Sequence, residues 1–119
     1  MDKQSRDLLR QAGIDVDDAL GRFMGNEGLL ARFLGQFPDD PNYRALVEAV
    51  AGGDRAGALT AAHTLKGLCG NLSMTVLYDL FTQQVALLRA EDWQGACALM
   101  PGISAAYRTA VDAIGSTLG

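Results

Sequence analysis

Apolar residues recur at helical spacing along almost the whole chain, and strand-like alternation of apolar and polar residues is hard to find anywhere in it. The clearest case is residues 29–37, where Leu and Phe occupy positions i, i+1, i+4, i+5 and i+8. The stripes end at glycines, prolines and aspartates, which favour turns and helix caps. Helices with such short connections predict an all-α fold, an antiparallel four-helix bundle with short N-terminal helices.

Breakers and caps divide the first half of the chain. Gly13 is expected to end a short first helix, and Asp15 is a plausible N-cap for a second helix over residues 16–23. The "GNEG" stretch at 25–28 then breaks the pattern. The "PDDPN" stretch at 38–42 is predicted to be a turn, because its two prolines and two aspartates disfavour helix.

The second half divides in the same way. Asp54 is expected to cap a helix that runs to about Leu72, and Ser73 or Thr75 can start the next one. Pro101 interrupts the last apolar stripe. Since proline removes a backbone donor and clashes with the preceding turn, we expect either a kink or a new helix with Pro101 in its first turn.

The composition excludes several classes of function. The 119 residues fit one domain, 1–119, and carry a net charge of −4 with ten scattered basic residues. Nucleic acids and anionic membranes reward clustered Lys and Arg, so neither is expected as a partner. No leader and no apolar run of about 20 residues is visible, which favours a cytoplasmic protein. Cys69 and Cys97 are interpreted as reduced core thiols.

The helix predicted from Asp54 carries the only histidine of the chain, His63. At about 100° per residue, His63 points away from one broad apolar side of this helix. That side is expected to face the core, and it comprises Ala58, Ala61, Ala62, Leu65, Leu68, Cys69 and Leu72.

Lys66, Gly67 and Gly70 follow His63 at i+3, i+4 and i+7, on its own stripe. Each interior Gly costs a helix about 0.5–1 kcal/mol relative to Ala, and the sequence offers no structural reason for either. Together they would leave the imidazole open to a protein partner. An unprotonated ring nitrogen is a nucleophile, and the lysine could offset phosphoryl charge. A solvated surface histidine without a role is the alternative interpretation.

Residues 62–73, "AHTLKGLCGNLS", resemble the signature of the histidine-containing phosphotransfer (HPt) domain family, His-x-x-Lys-Gly followed by small residues and an Asn-Leu-Gly-like turn. The stretch at 13–37, "GIDVDDALGRFMGNEGLLARFLGQF", is similar to the family's N-terminal segments. The lead into the active helix, "AVAGGDRAGALTAAH", and the later "AEDW" also match. The resemblance covers about residues 13–114.

This resemblance implies a phosphorelay intermediate of two-component signalling. His63 matches the phosphoacceptor, Lys66 the lysine that assists phosphate, and Gly67 the small residue that allows a receiver domain to dock. Gly70 is taken as a second small docking position. The implied partners are response-regulator receiver domains and a hybrid sensor histidine kinase. The receiver supplies Mg²⁺, so no cofactor or metal is expected here, and the protein is expected to be a monomer without catalytic activity of its own.

Thr64, Leu68, Met74, Phe23 and Met24 are the candidates for the receiver-docking surface. For Phe23 and Met24 the favoured interpretation is packing as a lid on the bundle, with docking as the alternative. Gln84 falls on the inward stripe of its helix. A hydrogen bond within the core is favoured there over contact with the His63 helix.

The chain departs from the family pattern at Ser73, where Gly is common. If this turn needs a positive φ, Ser fits poorly unless Asn71 takes the left-handed position. Two other functions stay open. One is an adaptor that docks receivers without carrying phosphate, against which the presence of both His63 and Lys66 speaks. The other is haem or metal binding through His63, for which a single His with no carboxylate at i+3 or i+4 offers too few ligands.

Overall fold

The computed structural model describes residues 1–118, and these residues form helices and short connections without a strand. The all-α prediction is therefore confirmed. The described chain contains eight α-helices and one 3₁₀ turn: α1 (Lys3–Gln11), α2 (Val16–Arg22), α3 (Glu27–Gln36), the 3₁₀ turn (Phe37–Asp39), α4 (Asn42–Ala51), α5 (Arg55–Asn71), α6 (Thr75–Arg89), α7 (Trp93–Ala98) and α8 (Met100–Leu118).

Aspartate caps begin four of these helices, and the first is Asp2, which accepts the backbone N–H of Ser5 at the start of α1. The Asp15 carboxylate accepts a hydrogen bond from the backbone N–H of Asp18, and Asp54 accepts one from Gly57, so both predicted caps are confirmed. Asp92 caps α7 in the same way. Each bond satisfies one of the backbone donors that a helix leaves free in its first turn.

The sequence predicted the break at Pro101 correctly, but it predicted the turn at 38–42 only in part. The turn predicted at 38–42 is partly helical, because the 3₁₀ turn takes in Pro38 and Asp39 and α4 begins at Asn42. The Asp40 carboxylate accepts the Asn42 backbone N–H at 2.9 Å and so starts α4. The last stripe divides as predicted, since α8 is a new helix with Pro101 in its first turn.

Helix α5 lies between two neighbours. It packs against α4 on one side and α6 on the other, while α6 also contacts α7 and α8, and α1 and α3 pack on α8. The predicted core side of α5 is buried except for Leu68, which is only half-buried. Cys69 is buried as predicted, whereas Cys97 is half-buried. None of the helices within residues 1–118 is long and apolar enough to cross a membrane.

Gln84 is fully buried between α6, α7 and α8. Its side-chain amide donates to the backbone oxygen of Ala96 at 3.2 Å and lies 3.1 Å from the sulfur of Met100. The predicted core role of Gln84 is confirmed, and its side chain makes no hydrogen bond to α5. The bond ties the short α7 to α6.

Candidate functional site

His63 lies near the middle of α5 with its side chain exposed, while Ala61, Ala62 and Leu65 on the opposite side are buried. The outward orientation predicted from the helical spacing is confirmed. Thr64, beside it, is also exposed, and its hydroxyl donates to the backbone oxygen of Thr60 at 2.9 Å. The imidazole therefore stands on a helix whose other side is anchored in the core.

A cleft of about 460 Å³ opens beside His63, between α2, α5 and the start of α6. It brings together all four residues predicted on the histidine stripe, and we call it the histidine cleft. The cleft is lined by Asp18, Arg22, His63, Lys66, Gly67, Gly70, Asn71, Ser73, Met74, Thr75, Tyr78 and Asp79. Two cations and two carboxylates thus share one depression with the only imidazole of the chain.

The two glycines of the stripe differ in what surrounds them. A Cβ atom at Gly67 would meet no atom within 4 Å, so this position opens onto free space as predicted. A Cβ atom at Gly70 would lie 3.1 Å from the ring of Tyr78. The expectation that Gly70 has no structural reason is therefore corrected, while its role as a docking position stays a prediction. Its missing side chain lets the Tyr78 ring of α6 lie against α5.

Ser73 takes the left-handed backbone position between α5 and α6, with φ 53°, and Asn71 remains in the helix. The alternative that Asn71 takes this position is wrong. Ser73 is 4% exposed, and its hydroxyl donates to the carboxylate of Asp18 at 2.5 Å. Its backbone oxygen accepts the N–H of Asp15 at 2.8 Å. One hydrogen bond that Ser73 donates and one that it accepts thus fasten α2 beside the cleft.

The carboxyl group of Asp18 has its pKa lowered from the ordinary value of 3.8, first by the Ser73 hydroxyl and then by Arg22. The Nε of Arg22 donates to the same carboxylate at 3.0 Å. A hydrogen bond to the ionised form favours that form, and so does a neighbouring cation. Asp18 therefore stays ionised at the edge of the cleft and holds the Arg22 side chain there.

A second, more apolar groove of about 500 Å³ adjoins the histidine cleft, and Arg22 and Asn71 line both. Its other walls are Phe23, Phe33, Leu68 and Leu72. The rings of Phe23 and Phe33 meet edge to face, with centroids 5.5 Å apart. We call this the apolar groove. It places Phe23 and Leu68, two of the predicted docking candidates, next to His63.

Two further docking candidates need correction. Met74 is 1% exposed and lies in the core, so the prediction that it contacts a partner is wrong. It is held inward because Ser73, before it, turns the chain back into α6. Met24 is 94% exposed at φ 56°, so its packing as a lid on the bundle is wrong and the docking alternative remains.

Seven lining residues of the cleft were not predicted as site residues: Asp18, Arg22, Asn71, Ser73, Thr75, Tyr78 and Asp79. Asp18 and Arg22 carried a visible signal, because they form an i, i+4 acid–base pair on α2. That pair predicts only local helix support. The approach of α2 to α5, which makes it part of the site, depends on Ser73 and has no local pattern in the sequence.

The chemistry available to this site is nucleophilic. An exposed imidazole with an unprotonated ring nitrogen can attack an electrophile, and Lys66 in the same cleft can offset negative charge that the electrophile brings. Within residues 1–118, no group of three or more His, Cys, Asp or Glu side chains lies close enough to hold a metal ion.

Comparison of the chain with models of protein families, with curated proteins and with solved structures gives no match.

Proposed function

We propose that this protein is a phosphorelay intermediate of a two-component signalling system, which accepts and donates a phosphoryl group on His63. The observation that carries the proposal is the arrangement at His63: an exposed imidazole, Lys66 in the same cleft, and open space over Gly67. A nucleophile, a cation and an unobstructed approach are what transfer between two proteins requires. The similarity of residues 62–73 to the HPt signature supports the same function.

The transfer step balances with the residues on this chain and an aspartyl phosphate on its partner. An unprotonated ring nitrogen of His63 donates its electron pair to phosphorus while the bond from phosphorus to the aspartate oxygen breaks. The aspartate leaves as a carboxylate with the electron pair of the broken bond, and the other ring nitrogen of His63 keeps its proton. The partner therefore loses one negative charge. His63 gains that charge, because a phosphoryl group with two negative charges is now bonded to a ring with one positive charge. Lys66 offsets the charge that arrives.

We further propose that the helices form the antiparallel four-helix bundle of the HPt family. The broken pair α3 and α4 would supply the first member, followed by α5, α6 and α8, with α1 and α2 as the short N-terminal helices. The packing of α5 between α4 and α6, and of α8 against both α3 and α6, supports this assignment. Such a bundle presents His63 on a rigid helix, which keeps the nucleophile in one orientation.

The partner proposed for this face is a response-regulator receiver domain, which would bring its own Mg²⁺. Phe23, Phe33 and Leu68 line the apolar groove, and Met24 lies on the adjoining α2–α3 connection. Met24 is 94% exposed and Phe33 44%, and exposed apolar residues grouped beside a reactive side chain mark an interaction surface. The protein would act as a monomer in the cytoplasm, in a pathway fed by a hybrid sensor kinase, without catalytic activity of its own.

The test is phosphotransfer from a labelled, phosphorylated receiver domain to this protein, beside the His63→Gln variant. Label that is stable to alkali and labile to acid should appear on the unaltered protein and be absent from the variant. Arg108→Gln is the matched control, since Arg108 is exposed and lines neither cavity. If several receivers bind both proteins equally and none transfers label, the protein is the non-phosphorylated adaptor instead.

A further inference from the structure

We infer that Arg22 is a second phosphoryl-binding cation of the histidine cleft, which exchanges its contact with Asp18 for the phosphoryl group on His63. This inference rests on the proposed function and assigns to α2 a part in the chemistry as well as in docking. It concerns a residue outside the His-x-x-Lys-Gly stretch, on a different helix from His63.

The position of Arg22 supports the inference. Its side chain lines the histidine cleft together with His63 and Lys66, although it belongs to α2. Ser73 holds α2 in this place through the hydrogen bonds from its hydroxyl and to its backbone oxygen. Arg22 is therefore brought to the cleft by a specific tertiary contact, and its half-exposed side chain remains free to change rotamer.

The bonding of the guanidinium group leaves capacity for an anion. The contact to Asp18 at 3.0 Å uses Nε, and a guanidinium offers five N–H donors in a planar fork. That fork matches a phosphoryl group in two parallel hydrogen bonds, which a lysine ammonium cannot do. Lys66 and Arg22 would then approach the transferred group from two helices.

Asp18 can release Arg22 without being left unpaired. Its carboxylate also accepts the Ser73 hydroxyl at 2.5 Å, and this bond, ahead of the one to Arg22, lowers the pKa of Asp18. The carboxylate therefore stays ionised and partnered after Arg22 leaves it. In the unphosphorylated protein, Asp18 holds the guanidinium beside the cleft and neutralises it.

The charges that face the cleft explain why a second cation matters. Among residues 1–118, Lys66 is the only other cationic residue that lines the cleft, while Asp18 and Asp79 contribute carboxylates. A phosphoryl group adds about −1.5 to −2 charges near neutral pH. While Asp18 holds Arg22, Lys66 alone would offset the charge of the phosphoryl group, and the Asp79 carboxylate would add to that charge. Once Arg22 turns to the phosphoryl group, two cations surround it.

The experiment uses the full protein and phosphoramidate as a small phosphoryl donor, so that receiver docking plays no part. The P–N bond of phosphoramidate breaks, ammonia leaves, and His63 gains the phosphoryl group. Arg22→Gln should slow this loading and shorten the lifetime of the phosphohistidine. The product of the two changes should be about tenfold, which is the scale of one charge-assisted hydrogen bond at an exposed site. Arg22→Lys should recover part of the loss, and Arg108→Gln should behave as the unaltered protein.

Asp18→Asn separates this role from simple support of α2. The amide oxygen can still accept the Ser73 hydroxyl but carries no charge to compete for Arg22, so loading should be faster than in the unaltered protein. The inference is overturned if Arg22→Gln loads and decays normally while His63 takes up phosphate, or if Asp18→Asn loses as much as Arg22→Gln. If neither phosphoramidate nor a phosphorylated receiver labels the unaltered protein, the proposed function fails, and the role of Arg22 with it.

Discussion

Gly67 and Gly70 lie on one stripe of α5 and look alike in the sequence, yet they meet different surroundings. Gly67 faces open space, whereas Gly70 accommodates the ring of Tyr78. A helix loses stability at each, but only Gly70 gains a packing contact in exchange. The surroundings of the two residues therefore distinguish a glycine that leaves room for a partner from one that leaves room for packing. Helical spacing alone cannot distinguish them.

Alanine at each position should distinguish the two roles. Gly67→Ala should raise the free energy of unfolding by about 0.5–1 kcal/mol, because Ala favours helix and its methyl group meets nothing. Gly70→Ala should gain less or lose stability, because Tyr78 must move from a contact at 3.1 Å. Urea unfolding followed by circular dichroism measures both. An equal gain in the two variants would contradict the packing role of Gly70.

The two cysteines should differ in reactivity. Burial raises the pKa of the Cys69 thiol to about 12, so it stays protonated at pH 8, and the thiolate is the reactive form. Cys97 is half-buried on α7 and should be alkylated first by iodoacetamide. Peptide mapping by mass spectrometry locates the modification, and the unfolded protein, in which both react, is the control. Equal rates in the folded protein would show that the α5 core opens readily.

At the scale of the elements, the sequence predicted what local chemistry determines. Asp15 and Asp54 were identifiable as caps because a carboxylate before a helix accepts its free N–H groups. The positive φ at Met24 had no signal in its side chain, and for the turn after α5 the sequence left the choice between Ser73 and Asn71 open. At Ser73 the long-range bonds to α2 stabilise this conformation. The burial of Met74 and the exposure of Met24 then follow from the two turns.

Ser73 should report on the attachment of α2. Ser73→Gly keeps the turn but loses the hydroxyl, so the amides of α2 should exchange hydrogen faster while the rest of the protein is little affected. Ser73→Ala loses the same bond in a conformation that costs Ala about 1–2 kcal/mol more than Gly, so it should also unfold at lower urea. Hydrogen exchange read by mass spectrometry tests this, with Ser104→Gly on α8 as a distant control. Unchanged exchange in α2 of both Ser73 variants would show that other contacts hold it.

At the scale of the whole molecule, three carboxylates with lowered pKa lie in the N-terminal helices. Asp2 is stabilised by the backbone N–H of Ser5 at the start of α1, and Asp18 by Ser73. Glu27 is stabilised by the N-terminal ammonium and then by Arg6, so it joins α1 to α3.

Acid should therefore loosen α1 and α2 first. A carboxyl group whose folded pKa lies below its unfolded value contributes stability that is complete above the unfolded value and is lost as pH falls through the folded one. The ordinary values are 3.8 for Asp and 4.5 for Glu, so the loss begins below about pH 4.5 at Glu27 and below about pH 3.8 at Asp2 and Asp18. Hydrogen exchange at pH 3 and pH 6, corrected for intrinsic rates, should show it in α1 and α2 before α5. Uniform loosening of all helices would contradict this.

The contact between α1 and α8 has a consequence for how the chain folds. Of the helix pairs that pack together, these two are the furthest apart in sequence, whereas α4, α5 and α6 each meet their immediate successor. Closing a longer loop loses more chain entropy, so neighbouring helices should assemble early in refolding and the α1–α8 pair late. The hydrogen bond between Ser73 and Asp18 also spans 55 residues, so α2, which carries Arg22, would become fixed beside the cleft late as well. During synthesis and refolding, the helix of His63 would form before the surface that selects its partner.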